Sequence, residues 1–373
     1  MNIDLDKILV AAGVKKSHLD SKKEQTGKKI EYVISYVQEW IRVGCMSHKI
    51  RVLNFIDAMS NAGIYEDGEL GTAVRVYELF LEAAKKFPDM KFNLVFNDLD
   101  DKRVEVFKAV VSEITDRASV EKPNNIDLYC SVNDINVFIE DLPKHDGLLN
   151  SYDTLTLLFI DPYDARTVNV ALLRQYLQTH YCELFYNWFS SDHVRNPGDS
   201  AIQHCFSGLD IPEGRDAASF VAQYLAGDKK HFSYSFRNQK NAEIYQIIFI
   251  TPSPTGLKKI KAALWQTFEG EEYHRNHQVN YEQGSLFDSG DGKKISKEMR
   301  ESFYGKEVQK VLIEELEPGE YTYAQIELFV LQRSMLGENA VIRYVINPLI
   351  AENKMKKLGI VGPRNYKQDR YKI

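Results

Sequence analysis

The sequence has few cysteines and pairs none of them: Cys45, Cys130, Cys182 and Cys205 are scattered, with no Cys-x-x-Cys. That spacing excludes a structural zinc held by paired cysteines. Three of the four lie in or beside apolar runs, where a free thiol behaves as a small hydrophobe. The expectation is a reduced, cytoplasmic protein. Histidine offers no metal centre instead, since Asp192-His193 and His274-x-x-His277 come without a third ligand at recognisable spacing; no metal is expected. No run is long and apolar enough to cross a bilayer, and Met1-Asn2-Ile3-Asp4-Leu5-Asp6 lacks the basic and apolar regions of a secretory signal. No membrane partner is expected. Positive charge is not in excess either. With 47 Lys and Arg against 53 Asp and Glu, the formal net charge is −6, which leaves any nucleic-acid binding to a local patch. There is no internal repeat or low-complexity block. What remains, 373 residues that are 44% apolar and 27% charged, is a globular chain of two or three domains.

What the chain does have is a series of acids, each closing an apolar, strand-like run. Asp57 follows Val52–Ile56, Asp98 follows Leu94–Asn97, Asp134 follows Asp127–Asn133, and Asp161-Pro162-Tyr163 follows Leu157–Ile160. Parallel strands buried on both faces read as apolar runs, and open α/β sheets bind ligands outside the carboxyl ends of their strands. Four acids at four such ends line one crevice. Carboxylates accept from ribose hydroxyls, an adenine amine and an aminoacyl ammonium, so the expected cofactor is S-adenosylmethionine.

The periodicity gives the organisation. Residues 1–50 read as a helical segment, with Ile30, Val33, Ile34, Val37 and Ile41 at helical spacing and Thr26 as the expected N-cap. Residues 51–267 alternate strand and helix, which predicts a Rossmann-like, mostly parallel sheet with helices on both faces. Within it, 192–242 reads as an insertion and the start of an antiparallel hairpin at the sheet edge, and a helix over Thr255–Gln266 closes the domain. Apolar periodicity vanishes over 268–296, a linker. Three helical stretches and a hairpin-compatible tail then predict a winged helix-turn-helix over 297–373.

Particular strings carry a resemblance. FIDAMSNAGIYEDGELGT at Phe55–Thr72, FNDLDDKR from Phe96, VNDIN from Val132, LFIDPY from Leu158, IYQIIFITPSPTGLKKIKAALW from Ile244 and QGSLFD from Gln283 follow one another. Together they resemble the motifs of the three-Cys-motif partner proteins (TcmP family), over nearly the whole chain. The resemblance implies a fold of the class I methyltransferase type and a C-terminal winged helix. It also implies a three-cysteine-motif protein as partner, within a mobile-element or phage-defence gene set.

The first loop, Asp57 to Gly63, keeps Gly63 and places Asn61 where the family has another glycine. Asn is the residue after glycine most tolerant of left-handed geometry, so the turn is expected to form. Asp57 is a cofactor ligand or a cap for that loop. Asp98 is expected to take the ribose hydroxyls, the alternative being an N-cap for the next helix. An acid at a strand end carries little packing, so its removal is expected to spare the fold. Asp134 accepts from the adenine amine or makes an Asx-turn. Asp161-Pro162-Tyr163 resembles the D-P-P-Y loop of amino-group methyltransferases and the D-P-F-G loop of tRNA guanine-N2 dimethyltransferases. The carboxylate and a backbone carbonyl would accept the hydrogens of an exocyclic amine while the aromatic ring stacks on the base. The alternative is a strand stopped by proline. Asn187-Trp188-Phe189 ends the next strand, placing an amide beside that loop or contributing core.

The last twenty residues are basic. Lys356, Lys357, Arg364, Lys367 and Arg370, with Arg343 on the third helix, form an expected phosphate footprint; a solvated face or a protein-docking surface is the alternative. Pro348 is expected to break the third helix. Two functions follow. One is a methyltransferase acting on an exocyclic amine of a nucleobase in DNA or RNA. The other is an inactive nucleic-acid-binding or scaffold partner. A small-molecule methyltransferase has no use for a basic winged helix.

Overall fold

The computed structural model describes residues 3–22, 24–117, 123–145, 148, 151–188, 199–206, 209–212, 216–227, 232–240, 243–270, 296–358 and 369–373. The chain divides into two units, 1–235 with 243–252, and 236–242 with 253–373.

The first unit opens with helices α1 (Leu5–Ala12) and α2 (Glu24–Cys45). Alternation follows: β1 (Val52–Asp57), α3 (Thr72–Lys86), β2 (Lys91–Asp98), α4 (Asp101–Arg117), β3 (Ile126–Val132), α5 (Ile135–Asp141), β4 (Thr154–Ile160), α6 (Val170–Thr179) and β5 (Cys182–Trp188). Two helices, α7 (Ser200–Cys205) and α8 (Asp216–Ala226), precede the strands β6 (Phe232–Lys240) and β7 (Glu243–Thr251). The seven-stranded sheet has the order β3-β2-β1-β4-β5-β7-β6. β1 to β5 are parallel and β7 runs antiparallel to β5. This is a Rossmann-like sheet of the class I methyltransferase type, with its antiparallel edge.

Side chains alternate across the strands, and the two faces differ in kind. One face is aromatic. Phe55 packs on Phe80 of α3 and Phe96 of β2, Phe96 lies 4.5 Å from Phe107 of α4, and Phe185 and Phe249 meet Tyr36 of α2. The other face is aliphatic. Ile56, Leu158, Ile160, Leu184 and Ile248 are buried with Leu173 and Leu177 of α6 and Val221 and Leu225 of α8. Truncating Phe55 to alanine removes a ring buried on every side, a change that costs about 3–5 kcal/mol. A short polar ladder crosses the dry centre: Asn93 Nδ2 donates to Asn54 Oδ1 at 2.9 Å and Asn54 Nδ2 donates to Thr156 Oγ1 at 3.2 Å.

Three expectations change here. α2 begins at Glu24, so Thr26 lies inside the helix; the polar residues ahead of the apolar pattern extend it. The segment 192–242 holds α7 and α8. Ala217, Ala218, Val221, Ala222 and Leu225 are all buried, because the sheet face beyond α6 needs a cover. The helix α9 (Pro254–Phe268) belongs to the second unit, where the sequence reading closes the first domain at 267. Its Lys261 ammonium donates to the Ser334 carbonyl and its Trp265 Nε1 to the Met335 carbonyl at 2.8 Å. Periodicity marks an apolar face but does not name its neighbour.

The second unit continues through α10 (Lys297–Glu315), β8 (Glu320–Thr322), α11 (Tyr323–Arg333), a 3-10 turn over Glu338–Ala340, a π turn over Ile342–Ile346, α12 (Asn347–Ala351), β9 (Lys356–Leu358) and β10 (Arg370–Lys372). The three strands form an antiparallel sheet in the order β8-β10-β9. Thr322 and Gln325 close a capping box at the start of α11. Pro348 does not end the third helix. It sits in the first turn of α12, directly after the wider π turn, where a missing N–H and a bulky ring are accommodated. Among the described residues, no helix is long and apolar enough to cross a membrane.

Candidate functional site

The carboxyl ends of β1, β2, β4 and β5 bring Asp57, Asp98, Asp161 and Asn187 to one rim of the sheet. Asp57 is 1% exposed and accepts from the Met59 N–H at 3.2 Å. Burial pushes its carboxyl well above the ordinary range; the Met59 N–H opposes this, and the charges of Asp161 and Asp98 reinforce it. Asp98 is 5% exposed. Its Oδ1 accepts from the Asp100 N–H and its Oδ2 from the Asn61 N–H, both at 2.9 Å. Burial raises its pKa as well, against those two amides and the nearby Arg103. Asp98 therefore ties the first and second loops together through the N–H groups of Asn61 and Asp100.

The first loop forms as its sequence predicts. Asn61 and Gly63 are left-handed, with φ of 58° and 69°. Gly63 is required by packing as well as by its φ, since a Cβ there would lie 2.6 Å from Val74 Cγ2 and 2.9 Å from Phe107 Cδ2. Asn97 clamps the loops after β1 and β3, donating to the carbonyls of Ala58 and Asn133 and accepting from Ser131 Oγ and the Asn133 N–H. Asp134 is exposed and caps α5, accepting from the N–H of Asn136 at 2.9 Å. That is the Asx-type role weighed against adenine contact.

Around Asp161 the partners come from far along the chain. Its Oδ2 pairs with the Lys29 ammonium at 2.5 Å and its Oδ1 accepts from Asn187 Nδ2 at 2.7 Å. Pro162 is buried behind it. Tyr163 is 57% exposed, with Arg103 5.3 Å from its ring centre. Its hydroxyl meets Arg103 and lies 3.3 Å from Asp20 Oδ2. Asp20 also takes Arg103 Nη2 at 3.0 Å and Asn61 Nδ2 at 2.5 Å. Asp20, Lys29 and Arg103 have no signal in the sequence, because nothing in a helix or its approach says what it will face. Asn187 was legible from its place at a strand end, and Trp188 beside it is core.

The basic residues divide between two faces. Lys356 stands opposite Lys372, and Arg370 opposite Leu358, on one face of the small sheet; Lys357 stands opposite the buried Tyr371 on the other. Lys357 is paired at 2.5 Å with Asp369, itself 2% exposed. Arg343 is exposed on the π turn, 5.0 Å from the Tyr344 ring centre. Arg364 and Lys367 lie outside the described residues, as do Asp192-His193, His274 and His277. Among the described residues no group of acids, histidines and cysteines is arranged to hold a metal.

No family model matches the chain, and no curated protein matches it. Solved structures do. Protein LPL1258 from Legionella pneumophila aligns at TM-score 0.38 and 13% identity, over 64% of this chain and 91% of that one. A Listeria monocytogenes protein described as a candidate class I S-adenosylmethionine-dependent methyltransferase aligns at TM-score 0.31 and 10% identity, over 66% and 70%. An arsenic(III) S-adenosylmethionine methyltransferase from Chlamydomonas reinhardtii aligns at TM-score 0.32 and 12% identity, over 54% and 63%. At such similarity, function has to be argued from the residues of the rim.

Proposed function

We propose that this protein is an S-adenosylmethionine-dependent methyltransferase whose acceptor is an exocyclic amine of a nucleobase in DNA or RNA. The observation that carries the reading is the line of polar groups across adjacent strand ends: Asp98, Asp57, Asp161, then Asn187. With strands about 4.8 Å apart the line is roughly 14 Å long, room for a nucleoside at one end and an acceptor at the other.

The donor set suits that cofactor. Asp98 uses one lone pair on each oxygen for Asn61 and Asp100, and each oxygen keeps a second for a ribose hydroxyl. Leu99 and Val132, 72% and 46% exposed at the ends of β2 and β3, offer apolar surface to a purine. The buried Asp57 carboxyl suits an ammonium or sulfonium, the counter-charge that favours its ionised form. Bound there, S-adenosylmethionine supplies a methyl carbon whose bond to sulfur breaks with both electrons left on sulfur. An exocyclic amine is a weak nucleophile because its lone pair is delocalised into the ring. Asp161 accepts one of its hydrogens, draws the lone pair out of conjugation and takes the proton that the nitrogen sheds. The Tyr163 ring stacks on the base. Lys29 has to yield Asp161 Oδ2 for this to happen. The C-terminal unit, in this reading, is a winged helix that delivers nucleic acid through Lys356, Arg370 and Lys372.

Calorimetry with S-adenosylmethionine and its demethylated product tests the proposal. Micromolar binding is expected, and none at millimolar ligand overturns it. One observation favours a second reading, an inactive nucleic-acid-binding or scaffold partner: all four carboxylate oxygens of Asp98 and Asp161 already have protein partners. In that case the chain works beside a three-cysteine-motif protein, and the same titration stays flat.

A further inference from the structure

Asn187 sits at the far end of the rim, one strand beyond Asp161, and is 4% exposed. Its Nδ2 donates to Asp161 Oδ1 at 2.7 Å. Because an ionised carboxylate only accepts, that bond fixes which way the amide is turned. The carboxamide oxygen is left on the other side, buried and with no described residue donating to it. An orphaned buried acceptor is costly and calls for an explanation. Packing supplies none, since leucine fills nearly the same volume without the penalty. The neighbouring strand, β7, sets Ile247 opposite Asn187, an apolar partner that cannot donate from its side chain.

We infer that Asn187 Oδ1 is a hydrogen-bond acceptor reserved for the amine that receives the methyl group. The inference rests on the methyltransferase reading and deepens it. Asp161 plays two parts: it accepts a hydrogen from the substrate amine, and it holds the Asn187 amide so that its oxygen takes the other. Such a pair of acceptors selects a group carrying two hydrogens, a primary exocyclic amine. It disfavours a ring nitrogen, which has no hydrogen to give, and a carbonyl, whose oxygen would face Oδ1 with no proton between them.

Sinefungin is the probe, because it carries an amine-bearing carbon in place of the methyl sulfonium. Its affinity for the full-length chain is compared by calorimetry with that of S-adenosylhomocysteine, which has no such amine. The wild type is expected to bind sinefungin at least about tenfold tighter, the size of one charge-assisted hydrogen bond. Asn187→Leu should lose that preference, bind S-adenosylhomocysteine within twofold of wild type, and melt at the same temperature or higher. If the leucine variant does not fold, Asn187→Ser takes its place in the comparison. An undiminished preference in the leucine variant overturns the inference while leaving the methyltransferase reading intact. A lowered melting temperature with unchanged preference does the same, showing that a buried water satisfies Oδ1. If neither ligand binds the wild type at millimolar concentration, the methyltransferase reading falls and takes this inference with it.

Discussion

The two halves of the rim are held by different means. On the cofactor side, Asp57 and Asp98 are fixed by backbone amides, from Met59, Asp100 and Asn61. On the acceptor side, Asp161 and Tyr163 are fixed by side chains, from Lys29, Asn187, Asp20 and Arg103. A backbone amide moves only if its loop unfolds, whereas a lysine rotamer changes freely. The half around Asp57 and Asp98 is therefore built in, and the half around Asp161 and Tyr163 can rearrange without disturbing the fold.

Substitutions can break this contrast. The largest effect is expected from Asp161→Ala, which should lower the rate of methyl transfer by about 10²–10⁴ while cofactor affinity stays within twofold. Single-turnover transfer measured beside calorimetry checks it, and persistent transfer would falsify the acceptor role. Asp98→Ala should weaken cofactor binding by about 10–100-fold, the equivalent of one to two charge-assisted hydrogen bonds. It should also lower the melting temperature, because the amides of Asn61 and Asp100 lose their acceptor. An unchanged melt would show that these two backbone bonds contribute little to holding the loops.

Protons sharpen the contrast on the cofactor side. Burial holds the Asp57 carboxyl well above its usual range, so a cationic ligand beside it has to expel a proton. Affinity should then rise with pH and level off above the raised pKa. Calorimetry in two buffers of different ionisation enthalpy reads the release, and a pH-independent affinity places the positive charge elsewhere. Lys29→Ala is a milder change. It should leave cofactor affinity unaltered and cost about 1 kcal/mol or less in stability, as a partly exposed ion pair does; denaturant titration measures it. The smallest contrast lies on the terminal sheet. Neutralising Lys356, Arg370 and Lys372 should flatten the salt dependence of duplex binding by roughly two to three in slope. Lys357→Ala should leave the slope alone, because that ammonium is committed to Asp369. Equal slopes in both variants would mark the tail as an ordinary solvated surface.

The same division explains what could be read from the chain. Asp57, Asp98 and the left-handed pair Asn61 and Gly63 were legible because a strand end, a loop and a turn are local facts. Asp161 and Asn187 were legible for the same reason. Lys29 and Asp20 were not, since Asp161 and Tyr163 lie more than a hundred residues further on and only the fold brings them together. The burial of α8 is hidden by the glycines, prolines and aspartates around it, and the packing of α9 in the second unit is not legible because an apolar stripe does not carry the address of its neighbour. Pro348 misled for a different reason: a π turn, which no residue pattern announces, makes room for it.

The amide ladder of Asn54, Asn93 and Thr156 has a consequence for how the central strands find their alignment. A slip of one residue turns every side chain to the wrong face and is rejected outright. A slip of two keeps aromatic on aromatic and aliphatic on aliphatic, and hydrophobic burial barely distinguishes it from the native pairing. In that shifted arrangement Asn54 would face Val95 or Lys91 in place of Asn93, stranding amides in the driest part of the sheet. The Asn54–Asn93 pair thus acts as an alignment key between β1 and β2, penalising the one error that oiliness alone would let pass.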